Sequence, residues 1–189
     1  MVYCFLANGF EEIEALATVD ILRRAGIEVL TVGVDEDVII GSHQIPVLAD
    51  IREGGVKLDD SLEAVILPGG MPGTINLQKS SYVQKAIDFI KENAVITEVE
   101  AKTEKKAAAK KSTAKKTTTA KKTTKKATCY PGFEADLKGA DVTGGYVEAD
   151  GKVITAKGAG VAIDFALKIT EMLKDKKTAD DINASIQSK

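Results

Sequence analysis

Two cysteines, Cys4 and Cys129, one histidine, His43, a glutamate at the start of an apolar-periodic stretch, Glu14, and two glycine turns, Gly69-Gly70 and Gly158-Ala159-Gly160, are the residues whose types could do chemistry. A cysteine attacks only as its thiolate, so it needs a site that lowers its ordinary pKa of about 8.5. Cys4 sits inside the apolar run Val2 to Ala7, where a small buried thiol reads as packing. Cys129 falls nearer the strand ends and is the better placed of the two thiols to act as a nucleophile. The glycine turns can bring bare backbone N–H groups to an anion, and tight turns explain them equally well. Neither has the G-x-G-x-x-G spacing of a dinucleotide site. Glu14 in a first helical turn complements the helix dipole in any protein. His43 falls in a hairpin loop and reads as solvent-exposed. Two cysteines and one histidine make neither a disulfide framework nor a metal motif.

The elements that must position these residues follow from periodicity. Ala64-Val65-Ile66-Leu67 is a run of four apolar residues that enters Pro68-Gly69-Gly70-Met71-Pro72-Gly73, and it reads as a central strand buried on both faces of a parallel sheet. In open α/β sheets the crevice outside the strand ends holds the site, which places it at Gly69-Gly70. Val2 to Ala7 is a first strand, and Glu11 to Ala25 a helix with Ile13, Leu16, Ala17 and Ile21 on one face and Gly26 ending it. Glu28 to Val34 is the second strand, completing a right-handed βαβ unit. Val38 to Ile40 and Ile45 to Ala49 form an edge hairpin around Gly41-Ser42-His43, and Tyr82 to Asn93 an amphipathic helix through Val83, Ala86, Ile87 and Ile90. Ala94-Val95-Ile96 starts another buried strand. Tyr146 to Glu148 and Val153 to Thr155 form a hairpin around Asp150-Gly151; Val161, Phe165, Ile169 and Leu173 line the last main helix, and a short surface helix follows Lys176.

The bulk composition suits a single α/β domain over 1–189, with no apolar run long enough to span a membrane. Met1 to Leu6 is too short and lacks the basic flank of a secretory signal, which predicts a cytoplasmic protein. A net charge of −2 hides a split. Ala101 to Thr128 carries eleven lysines and one glutamate, about +10, and the remaining 15 basic against 27 acidic residues leave the rest at about −12. The repeats resemble linker-histone tails, and residues 97–128 read as a disordered basic insertion that could meet nucleic acid through phosphates at Lys105, Lys106, Lys110, Lys111, Lys115, Lys116, Lys121 and Lys122. A solvated insertion without a partner reads the same composition as well.

Asn8-Gly9-Phe10-Glu11-Glu12-Ile13-Glu14, Arg23-Arg24-Ala25-Gly26, Leu67-Pro68-Gly69-Gly70-Met71-Pro72-Gly73 and Lys157-Gly158-Ala159-Gly160 together resemble the ThiJ/PfpI family, in the branch of the parkinsonism-associated protein deglycase. The resemblance covers residues 1 to about 96 and about 127 to 189. It implies a flavodoxin-like, doubly wound, mostly parallel sheet sandwiched by helices and interrupted here by the basic insertion. It also implies a homodimer and a cofactor-free, metal-free, cysteine-dependent glyoxalase or deglycase acting on a small aldehyde or glycated adduct, or a stress chaperone. In that family the equivalent of Glu14 holds a carboxyl group against a cysteine thiolate, and Gly70 N–H helps form an oxyanion pocket beside Gly69, Met71 and Tyr130, the last standing where relatives often carry a histidine. The family's nucleophile sits in an Ala-X-Cys-Ala-type elbow after the strand that Ala94-Val95-Ile96 begins. This chain has Thr97-Glu98-Val99-Glu100 and the lysine-rich tract there instead. The resemblance therefore implies an inactive form, with polyanion binding through the tract or a rebuilt site using Cys129 as alternatives.

Overall fold

A computed structural model describes residues 1–93 and 124–188. The expected strand from Ala94, the stretch after it and the lysines from Lys105 to Lys122 lie outside the described residues.

Val2–Leu6 (β1) is buried along its whole length. It pairs in parallel with Val29–Gly33 (β2) on one side and with Ala64–Ile66 (β6) on the other. Ile51–Arg52 (β5) extends the sheet beyond β2, giving the order β5-β2-β1-β6. The two-residue period of β1 sorts its side chains. Val2, Cys4 and Leu6 face one cluster, while Tyr3 and Phe5 face another. The first cluster is closed by Glu12–Arg24 (α1) and Ala162–Leu173 (α4), through Ala15, Val19, Leu22 and Ile169. The second is closed by Gly73–Lys79 (α2) and Ser81–Asn93 (α3), through Leu77, Val83 and Ala86. A parallel sheet lies between two helical layers, as a doubly wound fold requires.

Two expectations change. The strand buried along its whole length is β1 and not β6. Ala64 and Val65 are half-buried and Leu67 is 43% exposed. A cavity of about 670 Å³ is lined by Ile66, Ile90, Phe165, Ile169 and Met172 among the described residues. On α1 the row through Ile13 and Leu16 is not the core face: Ile13 is 57% exposed, and Ala15, Val19 and Leu22 meet the sheet. Ile21 is buried for a different reason, against Ala166 and Ile182 of the C-terminal helices. Because α1 is packed by the sheet on one side and by α4 on another, it carries apolar residues on more than one face, and periodicity alone does not say which faces inward.

Its ends follow simple chemistry. Glu12 and Glu14 lie in the first turn and Arg23 and Arg24 in the last, each sign matching the helix dipole. Gly26 adopts φ +67°, and Ile27 N–H donates to Leu22 while Gly26 N–H donates to Arg23, the paired bonds of a Schellman stop.

Val38–Ile40 (β3) and Pro46–Leu48 (β4) form the expected antiparallel hairpin. After the gap, Lys125–Ala127 (β7) pairs in parallel with Ala140–Val142 (β8). The end of the lysine-rich tract is thus ordered, with Ala127 and Thr128 buried. Main-chain pairing does not need an apolar side chain at Lys125 or Lys126, which is why composition placed the boundary too late. Val147–Asp150 (β9) and Val153–Ala156 (β10) make a second hairpin, turning through Gly151-Lys152 one residue later than expected. Gly151 has φ +60° and Lys152 does not have a positive φ, the pattern of a turn that needs glycine at its first central position. Thr128 joins the two strand pairs: its N–H donates to Thr155 Oγ1 at 2.9 Å and its Oγ1 to Gly145 O at 2.7 Å. Lys176–Ser185 (α5) begins at Asp175, whose carboxylate accepts from Thr178 N–H, and buries Ala179 and Ile182.

Candidate functional site

The loop from Asn8 to Glu11, between β1 and α1, is gripped from two sides. On one side stands the glycine turn after β6. Gly69 O accepts from Glu11 N–H at 2.8 Å, Gly69 N–H donates to Glu14 Oε2 at 2.6 Å, and Asn76 Nδ2 donates to Asn8 O at 2.9 Å. Gly70 adopts φ +96° and presses so closely on this loop that a Cβ there would lie under 3.0 Å from Glu11 N, Gly9 O and Phe10 C. Gly70 N–H meets no acceptor among the described residues.

On the other side stands the β3–β4 hairpin. Gly9 N–H donates to Ile40 O, Ile40 N–H to Asn8 Oδ1 and Ser42 N–H to Phe10 O, each at 2.8 Å. His43 N–H donates to Glu12 Oε1 at 2.7 Å, and the His43 ring and Ser42 Oγ both reach Glu12 Oε2. Glu12 is 5% exposed. Burial works to raise its carboxyl, but hydrogen bonds from the His43 ring, from the Glu12 and His43 backbone and from Ser42 outweigh that and bring it down to about 2. Its carboxylate neighbours in turn raise His43. A carboxylate oxygen of Glu11, one of Glu12 and a ring nitrogen of His43 lie within 4.8 Å of one another. Glu12 is already occupied on both oxygens by protein donors, so the cluster works as a clamp between hairpin and helix. His43 keeps an exposed side chain, as expected for a hairpin loop, but is tied to a buried carboxylate 31 residues away.

Glu14 is half-buried, and burial raises its carboxyl; Gly69 N–H pulls it back and the Glu11 charge pushes it up further. Above it lies Gly158, at φ +147°. A Cβ there would be 3.2 Å from the Tyr130 ring and 3.9 Å from Glu14 Oε1. The carboxyl of the first helix, the glycine turn, Gly158 and Tyr130 thus converge, although Glu14 and Gly158 are far apart in the chain. Met71 is 56% exposed and Tyr130 64%, so both stand on the rim. Tyr130 packs edge-on to Phe133, with ring centroids 6.4 Å apart.

The thiols do not join this group. Cys4 is fully buried in β1, and burial pushes its pKa to about 12. Cys129 is half-buried, raised by burial and then by the charges of Glu134 and Asp136. Among the described residues neither sulfur hydrogen-bonds to Glu14. A nucleophilic thiol needs positive potential; Cys129 has the opposite. The arrangement offers a carboxyl group and an unsatisfied backbone donor, which can bind a carbonyl or carboxylate oxygen.

The resemblance pointed to Glu14 and the strand-end rule to the glycine turn, which lie together here, but neither anticipated the Glu12, Ser42 and His43 clamp. The signal was present in the adjacent Glu11-Glu12 pair, since a charged residue on the sheet side of a helix start must find partners. Among the described residues no helix is long and apolar enough to cross a membrane.

The chain is similar to DJ-1 homolog B of Arabidopsis thaliana, 28% identical over 96% of this chain and 40% of that protein, so it spans about two fifths of that relative's length. It is 26% identical to the glutathione-independent glyoxalase DJR-1.2 of Caenorhabditis elegans, over 91% of this chain and 87% of the relative. The DJ-1 structure from Schizosaccharomyces pombe superimposes with a TM-score of 0.77 at 22% identity, covering 100% of this chain and 99% of that one, and supports the fold. The model of the DJ-1/PfpI family matches residues 1–172, which contain β1, the glycine turn and Gly158 alike, and the flavodoxin-like sheet agrees with it: the chain belongs to the DJ-1/PfpI family.

Proposed function

We propose that this chain is a DJ-1/PfpI domain that retains the carboxyl and backbone half of a carbonyl-binding site and has no thiolate to attack with, so that it does not carry out cysteine-dependent glyoxalase or deglycase chemistry. One observation carries this reading. The sequence has two cysteines, one sealed in β1 and the other pushed away from ionisation. Covalent catalysis at a carbonyl needs an activated nucleophile as well as donors for the oxyanion, and only the donors are supported. The similarity to a glyoxalase makes methylglyoxal the substrate to try. Purified protein is expected to form no lactate from it above the buffer rate. Turnover that disappears in Glu14→Ala or Cys129→Ser would establish a rebuilt enzyme and sink the proposal.

A second reading rests on the eleven lysines between Ala101 and Thr128. Such a density of positive charge favours phosphate contacts with little sequence preference. If about six lysines engage duplex DNA, log affinity falls with log salt with a slope near about −5. The comparison is deletion of residues 101–123, which spares β7; Lys125 is paired there with Asp150 at 3.6 Å. A mobility shift that survives the deletion, or that ignores salt, removes this reading.

A further inference from the structure

The β3–β4 hairpin is anchored in the core by Ile39, with Val47 packed beside it, and its tip, which bears the single histidine of the sequence, is held separately by polar contacts. Three of the tip's contacts are independent of pH: Gly9 N–H to Ile40 O, Ile40 N–H to Asn8 Oδ1 and Ser42 N–H to Phe10 O. The remaining ones converge on two carboxylates, chiefly that of Glu12. Glu12 Oε1 accepts from His43 N–H, and Glu12 Oε2 accepts from Ser42 Oγ at 3.1 Å and lies 3.0 Å from His43 Nδ1. Glu11 Oε2 stands 3.7 Å from the same ring nitrogen and 3.2 Å from Ser42 Oγ. The charged groups facing the ring are therefore Glu11 and Glu12, both at the start of α1. The hairpin's other ion pair, Asp37 with Arg52, is at its base. Gly41 has to be a glycine for this arrangement, because a Cβ there would run into the Glu12 carboxyl.

We propose that His43 is a proton-operated clamp, holding the hairpin tip on the loop that carries the candidate site while its ring is protonated and loosening that grip as the ring loses its proton.

The sign follows from the two partners. Glu12 is held down to about 2, so what it contributes is present above its ordinary 4.5 and lost as pH falls toward 2. His43 is raised from 6.5, so what it contributes is complete below 6.5 and lost as pH rises through its folded value. The clamp is complete between about pH 4.5 and 6.5, and on the alkaline side only His43 changes charge. Neutralising the ring replaces a charge-assisted bond flanked by two carboxylates with an ordinary one. The consequence reaches past the tip. Glu11 also donates its N–H to Gly69 O, and Gly69 N–H holds Glu14, so the clamp and the glycine turn share one loop.

Amide hydrogen exchange on the full chain tests this, with rates corrected for the intrinsic effect of pH. Protection of the Ser42 and His43 amides is expected to fall about fivefold between pH 6 and pH 9, following the ring titration read by NMR. His43→Gln, an exposed position that should not disturb folding, is expected to abolish the pH step and leave low protection at both values. Protection in the wild type that is unchanged through the ring titration overturns the proposal, and so does a pH step that persists in His43→Gln.

Discussion

Gly70→Ala is expected to lower stability by about 3 kcal/mol or more, a large part of the roughly 5 to 15 kcal/mol that holds a domain folded. Two costs combine. A side chain at φ +96° is strained whatever surrounds it. The new methyl group would also meet Glu11 N, Gly9 O and Phe10 C, which are backbone atoms of a loop bonded on both sides and cannot swing away. Gly26→Ala isolates the first cost, because Gly26 has φ +67° and open space around its missing Cβ. That variant should lose about 1 kcal/mol. Urea unfolding of both variants decides the matter: equal midpoints would mean that the close approach of the glycine turn to the β1–α1 loop is not a constraint.

The elements legible in the sequence are those whose causes are local. The turn chemistry at Gly26 and the alternation of β1 each sit within a few residues, and the first βαβ unit follows from them. Where the reading failed, the deciding contact was distant. Ile13 and Leu16 look like the core face of α1 until α4 is known to pack beside it. Lys125 and Lys126 look like more of the basic tract until β8, about fifteen residues later, supplies their strand partner. At the candidate site, Gly69-Gly70 were found because glycines after an apolar strand announce themselves, whereas Glu14 came from the family resemblance, since a carboxylate at a helix start by itself reads as a partner of the dipole. Neither the clamp, which joins residues about thirty positions apart, nor the meeting of Gly158 with Glu14 leaves any periodic trace. The same limit applies to the thiols. That Cys4 packs could be read from its strand, whereas the acidic neighbours of Cys129 needed coordinates.

Phe10→Ala should be as damaging as a core truncation, although the residue belongs to a loop. Its side chain is fully buried in the cluster between the sheet and α1, and truncating a buried phenylalanine costs about 3 to 5 kcal/mol. For a chain of this size that corresponds to a melting temperature lower by roughly 6 to 20 °C. The same residue fixes the backbone of the site loop: its N–H donates to Ala7 O at 3.0 Å and its carbonyl accepts from Ser42 N–H. Losing the ring therefore loosens the loop at the point where the hairpin and the glycine turn both bind it, and the Ser42 and Gly69 amides should exchange faster even well below the melting temperature. Phe133→Ala, at a 49% exposed ring, removes the same atoms from a position with little burial to lose and should melt within a few degrees of the wild type. If Phe10→Ala melts alongside Phe133→Ala, the loop is not anchored by its aromatic side chain, and the convergence of Glu14 with the glycine turn must be held by the hydrogen bonds alone.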